Sequence, residues 1–137
     1  MGRTLVIEHQ GKSYSGQIAV IKKTEFGVND HGIVSAELHC EWETSGISVG
    51  GYCLDTKPNP ETNKREGSAY GLDFIMRILD TVGVYTWEKL AGQKVVILFE
   101  GGKEGWGGKS CGIANILNDK VFLMQDHADA WRARDNG

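Results

Sequence analysis

The sequence predicts a single α+β domain of 137 residues: a largely antiparallel sheet, one main helix, a short second helix and a small C-terminal hairpin. Three patterns lead to this prediction. Apolar and polar residues alternate through residues 33–43, which is the period of a half-buried strand. Apolar residues recur at helical spacing between Ser68 and Gly83. Residues 95–99 are apolar throughout, as in a buried strand.

Strands are predicted for the first part of the chain. Residues 4–9 favour β structure and end at a turn around Gly11, and the long segment 14–24 is mixed in polarity. Residues 26–32 (FGVNDHG) are predicted to form a turn, because Asn, Asp and Gly tolerate left-handed backbone. The strand at 33–43 follows, and five of its residues share an apolar face: Val34, Ala36, Leu38, Cys40 and Trp42.

The middle of the chain leads from this strand to the helices. Residues 46–55 are expected to be its antiparallel neighbour, with a bulge or a close backbone contact at Gly50 and Gly51. A polar surface loop at 57–67 holds both prolines. The main helix, with Ser68 as its N-cap and a glycine at its end, comes next. A short helix is predicted at 87–91.

The last part of the chain is predicted to return to strands. Residues 94–100 form the buried strand, and residues 101–112 form a loop that contains six glycines. Segments 112–117 and 120–124 are expected to pair as a hairpin. Residues 125–137 are expected to be a polar tail outside a core of about 4–124.

Composition excludes several classes of protein. A formal net charge of −3 argues against a polybasic carrier of long nucleic acid. The longest apolar runs are far shorter than the ~20 residues of a membrane span, and the N-terminus has no apolar signal segment, so no membrane partner is expected. The three cysteines are Cys40, Cys53 and Cys111, and no CxxC motif occurs, which favours a reducing cytoplasm.

The glycine-rich loop offers two interpretations. Gly108-Lys109-Ser110 resembles the end of a phosphate loop, but the required glycine spacing is absent and the following residues favour a strand instead of a helix. In the looser interpretation, glycine amides together with Lys103, Lys109 and Trp106 hold and stack a nucleotide-like anion. The alternative is a plain hairpin loop, and the sequence leaves the two open.

The sequence gives little support for a catalytic site or a metal site. Asp30 and His31 are adjacent in a predicted turn, where neighbouring side chains rarely face one another, and no nucleophile is evident beside them. His39 and Cys40 point to opposite faces of their strand, so they cannot share a metal. We therefore expect no metal and no cofactor.

A basic stretch before the main helix is a better candidate for ligand binding. Lys57, Lys64 and Arg65 precede the N-terminus near Ser68, where the helix dipole also favours an anion. Arg65 is the preferred member because a guanidinium can both bond phosphate in a fork and stack on a base. Tyr70 lies in the first turn of the same helix. The alternative is an ordinary solvated loop.

Four spaced pieces of the chain together resemble a known family. They are FGVNDHGI at 26–33, GGYCLD at 50–55, GSAYGLDFIMRI at 67–78 and GVYTWEKLAG at 83–92. In this order they resemble the first family of Thoeris anti-defence proteins, which are small phage proteins. The resemblance runs from about Phe26 to Val121.

The resemblance implies a sponge without enzymatic activity. Such proteins sequester a cyclic ADP-ribose isomer made by a TIR-domain enzyme of bacterial immunity; members form dimers or hexamers, and some also hold cyclic oligonucleotides. An aromatic residue and an arginine sandwich the adenine, with an asparagine and basic residues nearby. By this resemblance Arg65 matches the position before the Gly-Ser-x-Tyr-Gly motif, and Lys120 stands where members carry a basic residue. Together with candidates that the family motifs do not align, the expected ligand-binding residues are Arg65, Tyr70, Phe99, Trp106, Lys109, Asn115 and Lys120. Val121 stands where members tend to carry an aromatic residue.

Three functional hypotheses follow from these observations. The first is a phage sponge for a cyclic nucleotide, acting in the cytoplasm of the infected host. The second is an anti-defence or regulatory protein that inhibits a host protein by direct binding through its acidic surface. The third is a nucleotide-cleaving enzyme that uses His31 or the Gly-Lys-Ser loop. Glycine makes up 19 of 137 residues, about twice the usual ~7%. In the sponge, the glycines at 50–51 and 101–112 are expected to approach a nucleotide.

Overall fold

A seven-stranded antiparallel sheet organises the chain, which confirms the predicted α+β class. The computed structural model describes residues 4–100 and 110–136. The strand order is β4-β3-β2-β5-β6-β7, with β1 beside β2. The strands are β1 (Thr4–His9), β2 (Lys12–Asp30), β3 (Ile33–Trp42), β4 (Ser45–Gly50), β5 (Lys94–Glu100), β6 (Ser110–Ala114) and β7 (Val121–Leu123). The helices are α1 (Ala69–Val82) and α2 (Met124–Asn136), with a single 3-10 turn at Trp87–Lys89.

The long strand β2 connects the two halves of the sheet. Along one edge it pairs first with β1 and then with β3, and along the other edge it pairs with β5 between Tyr14 and Val20. Beyond this point Ile21 still exchanges backbone hydrogen bonds with Gly92 and Gln93 on the β5 side. From Lys22 onward, no strand within residues 4–100 and 110–136 pairs with this second edge.

A β-bulge at Lys22 changes which residues of β2 face the core: odd-numbered residues before the bulge and even-numbered residues after it. The register with β3 shifts between Ile21 and Lys23, so Ile21 faces the core before the bulge, and Phe26 and Val28 face the same side after it. The mixed polarity of residues 14–21 has a different cause: the register of residues 14–20 with β5 is unbroken, and apolar clusters lie on both faces of the sheet, with Ala19 and Ile21 in one and Tyr14 in the other.

The turn predicted at 26–32 is mostly strand. β2 continues to Asp30, and only His31 and Gly32 form the turn, with φ angles of 54° and 76°. Two central residues with positive φ are typical of the type I′ hairpin turn, which matches the right-handed twist of the flanking strands. The prediction located the turn but made it too long.

The main helix lies on one face of the sheet and forms the core with it. Phe74 and Ile78 on α1 are almost fully buried, in one cluster with Leu38 and Ile97 of the sheet. Both predicted ends are confirmed: the Ser68 hydroxyl accepts a hydrogen bond from the Gly71 amide, and Gly83 ends the helix in left-handed conformation. The opposite face of the sheet carries a smaller apolar cluster around Tyr14, Val96, Leu98 and Ala114.

The C-terminal segment differs from the prediction. The hairpin of β6 and β7 is confirmed, but the expected polar tail forms helix α2. His127 of α2 lies 2.8 Å from the carboxylate of Asp73 on α1, and the Trp131 indole donates a hydrogen bond to the same carboxylate. These contacts join residues more than fifty positions apart, so the local sequence gives no sign of them.

Two of the glycines are explained by the sheet itself. A Cβ at Gly50 would overlap the carbonyl oxygen of Ala36 on β3, and one at Gly112 would overlap that of Phe122 on β7. These close approaches are made to neighbouring strands, and not to a nucleotide as the sequence led us to expect. The rest of the glycine cluster, at 101–109, lies outside the described residues. In the described ranges no helix has the length and apolar character needed to cross a membrane.

Candidate binding cleft

A cleft of about 430 Å³ opens between the inner face of β2 and β3 and the N-terminal half of α1. This volume is within the range of small-molecule sites, roughly 300–1,000 Å³. Its walls are largely apolar, and an ion pair between Asp55 and Arg65 lines it as well. The apolar lining residues are Phe26, Val28, Val34, Leu54, Leu72 and Ile75.

The cleft exists because helix α1 does not cover the far end of β2. The bulge turns Phe26 and Val28 toward the helix side of the sheet, yet their exposed fractions remain 52% and 68%. Phe26 packs against Trp87 at a ring-centroid distance of 5.4 Å, and on the helix side Leu72 is 65% exposed. Large apolar side chains that share one open cleft favour a ligand or a partner at this place.

Arg65 is held at the cleft by a bidentate ion pair. Its Nε lies 2.6 Å from Oδ2 of Asp55 and its Nη2 lies 2.9 Å from Oδ1. The Asp55 carboxylate is nearly buried and also accepts a hydrogen bond from the Val34 amide. The hydrogen bonds from Arg65 hold the pKa of Asp55 well below its usual range, with smaller help from Val34 and Cys53.

This pairing decides what Arg65 can offer a ligand. Nε and Nη2 already donate to Asp55, Nη2 also lies 3.7 Å from Cys53 Sγ, and the carboxylate offsets the charge of the guanidinium, so a phosphate gains less here than at an unpaired arginine. The guanidinium plane is fixed, however, and its flat face can stack on a planar base. The geometry therefore favours stacking over phosphate binding at this residue.

The segment that carries Asp55 is fixed between the sheet and the helix. The Leu54 amide donates to the carbonyl of Val34, and the Ser68 hydroxyl donates to the carbonyl of Leu54. Gly71 packs so closely against Leu54 that a Cβ there would overlap the Leu54 carbonyl oxygen. The N-terminus of α1 and the ion pair are thus held by one set of contacts.

The Asp55 carboxylate should make folding stability depend on acid pH. Because folding lowers the pKa of Asp55, its carboxylate stabilises the folded state at every pH above its ordinary pKa of about 3.9. This contribution is lost as the pH falls from about 4 toward the lower pKa that Asp55 has in the folded state. We expect the free energy of unfolding to differ between wild type and Asp55→Asn at pH 7, and the difference to shrink at pH 3. Urea unfolding at both pH values measures it. A difference that does not change with pH would contradict this assignment.

Asn115 and Lys120 lie together at the opposite end of α1. The Asn115 side chain donates to the carbonyls of Thr81 and Val82, and so caps the C-terminus of the helix. Lys120 forms an exposed ion pair with Asp80 at 3.0 Å. Because a helix rises about 1.5 Å per residue, these two residues are about 20 Å from the end that carries Arg65.

The remaining predicted site residues do not line the cleft. Tyr70 packs in an aromatic cluster with Phe74, His127 and Trp131, and burial raises the pKa of its hydroxyl to about 12. Phe99 is 3% exposed and belongs to the core. Trp106 and Lys109 lie outside the described residues. Of the described candidates, Arg65 is the one that lines the cleft.

The sequence did not single out the other cleft residues. Phe26 and Val28 fall in the segment predicted to be a turn, and Leu72 is one of the apolar residues at helical spacing between Ser68 and Gly83, a spacing that predicts burial. Asp55 comes at the end of a predicted strand and closes the GGYCLD segment, but neither feature assigns it a role in binding. Among these residues, Phe26 alone has a sequence context that could have indicated a binding surface, because it is a large aromatic residue next to turn-forming residues.

A row of polar side chains lies on the other face of the sheet. His39 Nδ1 is 2.7 Å from the Ser48 hydroxyl, and His39 Nε2 is 3.1 Å from a Glu25 carboxylate oxygen. His39 on β3 lies opposite Ser48 on β4, and Glu25 on β2 is its diagonal neighbour across the other strand pair. The sheet separates this row from the cleft. In the described part of the chain, no group of three or more His, Cys, Asp or Glu side chains could hold a metal ion.

Comparison of the chain with known protein families, with curated proteins and with solved structures gave no match.

Proposed function

We propose that this protein is a phage anti-defence sponge that binds a cyclic nucleotide immune signal, a cyclic ADP-ribose isomer, and holds it without cleaving it. It acts in the cytoplasm of the infected bacterium as a homodimer or hexamer. The observation that carries the proposal is the apolar cleft of about 430 Å³ with the fixed guanidinium of Arg65 at its lining.

The chemistry of the cleft supports binding of a planar base. Apolar walls remove a base from water, and stacking on an aromatic or guanidinium plane contributes about 1–3 kcal/mol per base. Because Asp55 already fixes the Arg65 side chain, little rotamer entropy is lost when a ligand stacks on it. A preorganised cleft with apolar walls suits a protein whose task is tight retention.

The positions of the other expected contacts support the oligomeric part of the proposal. Asn115 and Lys120 lie about 20 Å along α1 from Arg65, so a small nucleotide cannot touch all three in one chain. A site that uses all three needs residues from two chains. The row of Glu25, His39 and Ser48 faces away from the cleft, which agrees with retention in place of cleavage.

The proposal is tested by capture and release. The protein is incubated with a panel of cyclic ADP-ribose isomers and cyclic oligonucleotides, free ligand is removed, and the protein is denatured by heat. We expect mass spectrometry to detect an intact cyclic ADP-ribose isomer in the released fraction. A processed product would indicate an enzyme. No bound nucleotide of any kind would overturn the proposal and favour inhibition of a host protein by direct binding.

A further inference from the structure

The outer half of β2 leaves a strand edge without a described partner. β3 occupies one side of Val20–Asp30, and pairing with β5 ends at Val20 on the other side. Ile21 directs its N–H and C=O to that second side, where they bond Gln93 and Gly92. An extended edge of this kind is a template for another strand.

Three residues beyond the bulge expose their backbone groups on this edge. Thr24, Phe26 and Val28 lie opposite alternate residues of β3. These alternate residues belong to the same series as Cys40, which lies opposite Ile21. Residues in one such series direct their peptide groups to the same side. The N–H and C=O groups of the three therefore point away from β3, as those of Ile21 do. The segment contains no proline that would block pairing.

Apolar side chains surround the same edge. Val28 is 68% exposed and Phe26 is 52% exposed, on the side of the sheet that carries α1. On α1, Leu72 lines the same cleft, and Met76 follows one turn later with 47% exposure. Edge and apolar surface together form one continuous region, which we call the β2-edge surface: Thr24, Phe26, Val28, Leu72 and Met76.

We propose that the β2-edge surface binds the same surface of a second copy of this chain, with the two β2 strands pairing antiparallel about a two-fold axis at Phe26. If this two-fold axis is perpendicular to the sheet, the α1 helices of both copies lie on the same face of the joined sheet. The exposed side chains of Leu72 and Met76 then face the α1 helix of the second copy. The interface is then isologous, as in most homodimers. The proposal specifies the partner surface of the proposed sponge, but it does not depend on nucleotide binding.

The sequence of the edge favours this register over the two registers whose axes lie nearer the bulge. With the axis at Phe26, Thr24 lies opposite Val28, and each of these pairs exchanges two backbone hydrogen bonds. Moving the axis to Glu25 would place two glutamates directly opposite each other, which is destabilising. Moving it to Thr24 would place Phe26 opposite Lys22, the bulged residue with irregular backbone. The axis at Phe26 avoids both conflicts.

The test is the mass of the full chain in solution, measured without nucleotide by light scattering after gel filtration. We expect wild type to have twice the 15.0 kDa monomer mass and Val28→Glu to be monomeric at the same concentration. Val6→Glu is the matched control, because Val6 is also a strand valine, 66% exposed, on β1 away from this surface. It should remain dimeric. A monomeric wild type, or a Val28→Glu variant that stays dimeric, would overturn the proposal.

A cross-link tests the register independently of Val28. In a Cys53→Ser background, which removes the exposed thiol, the Phe26→Cys variant should form an intermolecular disulfide under mild oxidation. Cα atoms of a hydrogen-bonded pair are about 5.5 Å apart, within disulfide range. The Thr24→Cys variant should not form one, because its own copy is not opposite. Equal cross-linking of both variants, or none at Phe26→Cys, would overturn the proposed register. Nucleotide capture is scored separately, so failure of this interface is distinguished from failure of the sponge.

Discussion

Replacing Arg65 with alanine is expected to weaken capture of the cyclic nucleotide by roughly 10- to 100-fold, which corresponds to the loss of about 1–3 kcal/mol of stacking. The same change should lower the melting temperature by several degrees, because the nearly buried Asp55 carboxylate loses its bidentate partner. Equilibrium binding is measured well below the melting temperature, so that the loss of affinity and the loss of stability are read separately.

Two further variants give this experiment its controls. Arg65→Lys keeps the charge but loses the planar fork, so it should bind almost as weakly as Arg65→Ala. Lys64→Ala removes a neighbouring exposed cation and should leave affinity nearly unchanged. Unchanged affinity in Arg65→Ala, with a lowered melting temperature, would show that Arg65 only balances the charge of Asp55.

Replacing Gly71 with alanine is expected to destabilise the fold by about 2–3 kcal/mol, although alanine is the better helix former by about 1 kcal/mol. The new methyl group would overlap the Leu54 carbonyl oxygen, which is backbone and cannot rotate away. Relief requires α1 to move away from the segment that carries Asp55. Urea denaturation should show the loss of stability, and nucleotide affinity should fall with it.

Gly27→Ala is the matched control for this change. Gly27 lies in β2, and a Cβ at this position would meet no atom within 4 Å. Its stability should therefore equal that of wild type or exceed it slightly. If Gly71→Ala were as stable as Gly27→Ala, the close packing of α1 on Leu54 would not be needed for the fold.

Local patterns were sufficient to predict most of the fold. The helix between Ser68 and Gly83 carries its own start and stop signals, and the alternation in β3 identifies its buried face without knowledge of its neighbours. The α2 helix could not be predicted in this way. Its contacts with Asp73 depend on side chains from a distant part of the chain.

The candidate cleft was much less predictable than the fold. Arg65 could be identified because it is a cation next to a helix N-terminus, but its partner Asp55 depends on how residues 51–67 fold back on β3. Phe26 could not be assigned to the cleft wall because the bulge at Lys22 has no glycine or proline to mark it. Register shifts of one residue follow from tertiary pairing, and local propensity does not encode them.

The bulge at Lys22 also determines how the protein tolerates insertions and deletions. An in-frame loss of this single codon would remove the extra residue and leave one uninterrupted alternation along β2. Ile21, Phe26 and Val28 would still face the side of the sheet that carries α1, so the cleft would keep the side chains of this wall. After that loss, deletion of a second residue before Phe26 would have no bulge to absorb it, and Phe26 and Val28 would move to the opposite face of the sheet. The bulge therefore lets β2 lose one residue at this place with less damage than anywhere in its regular part.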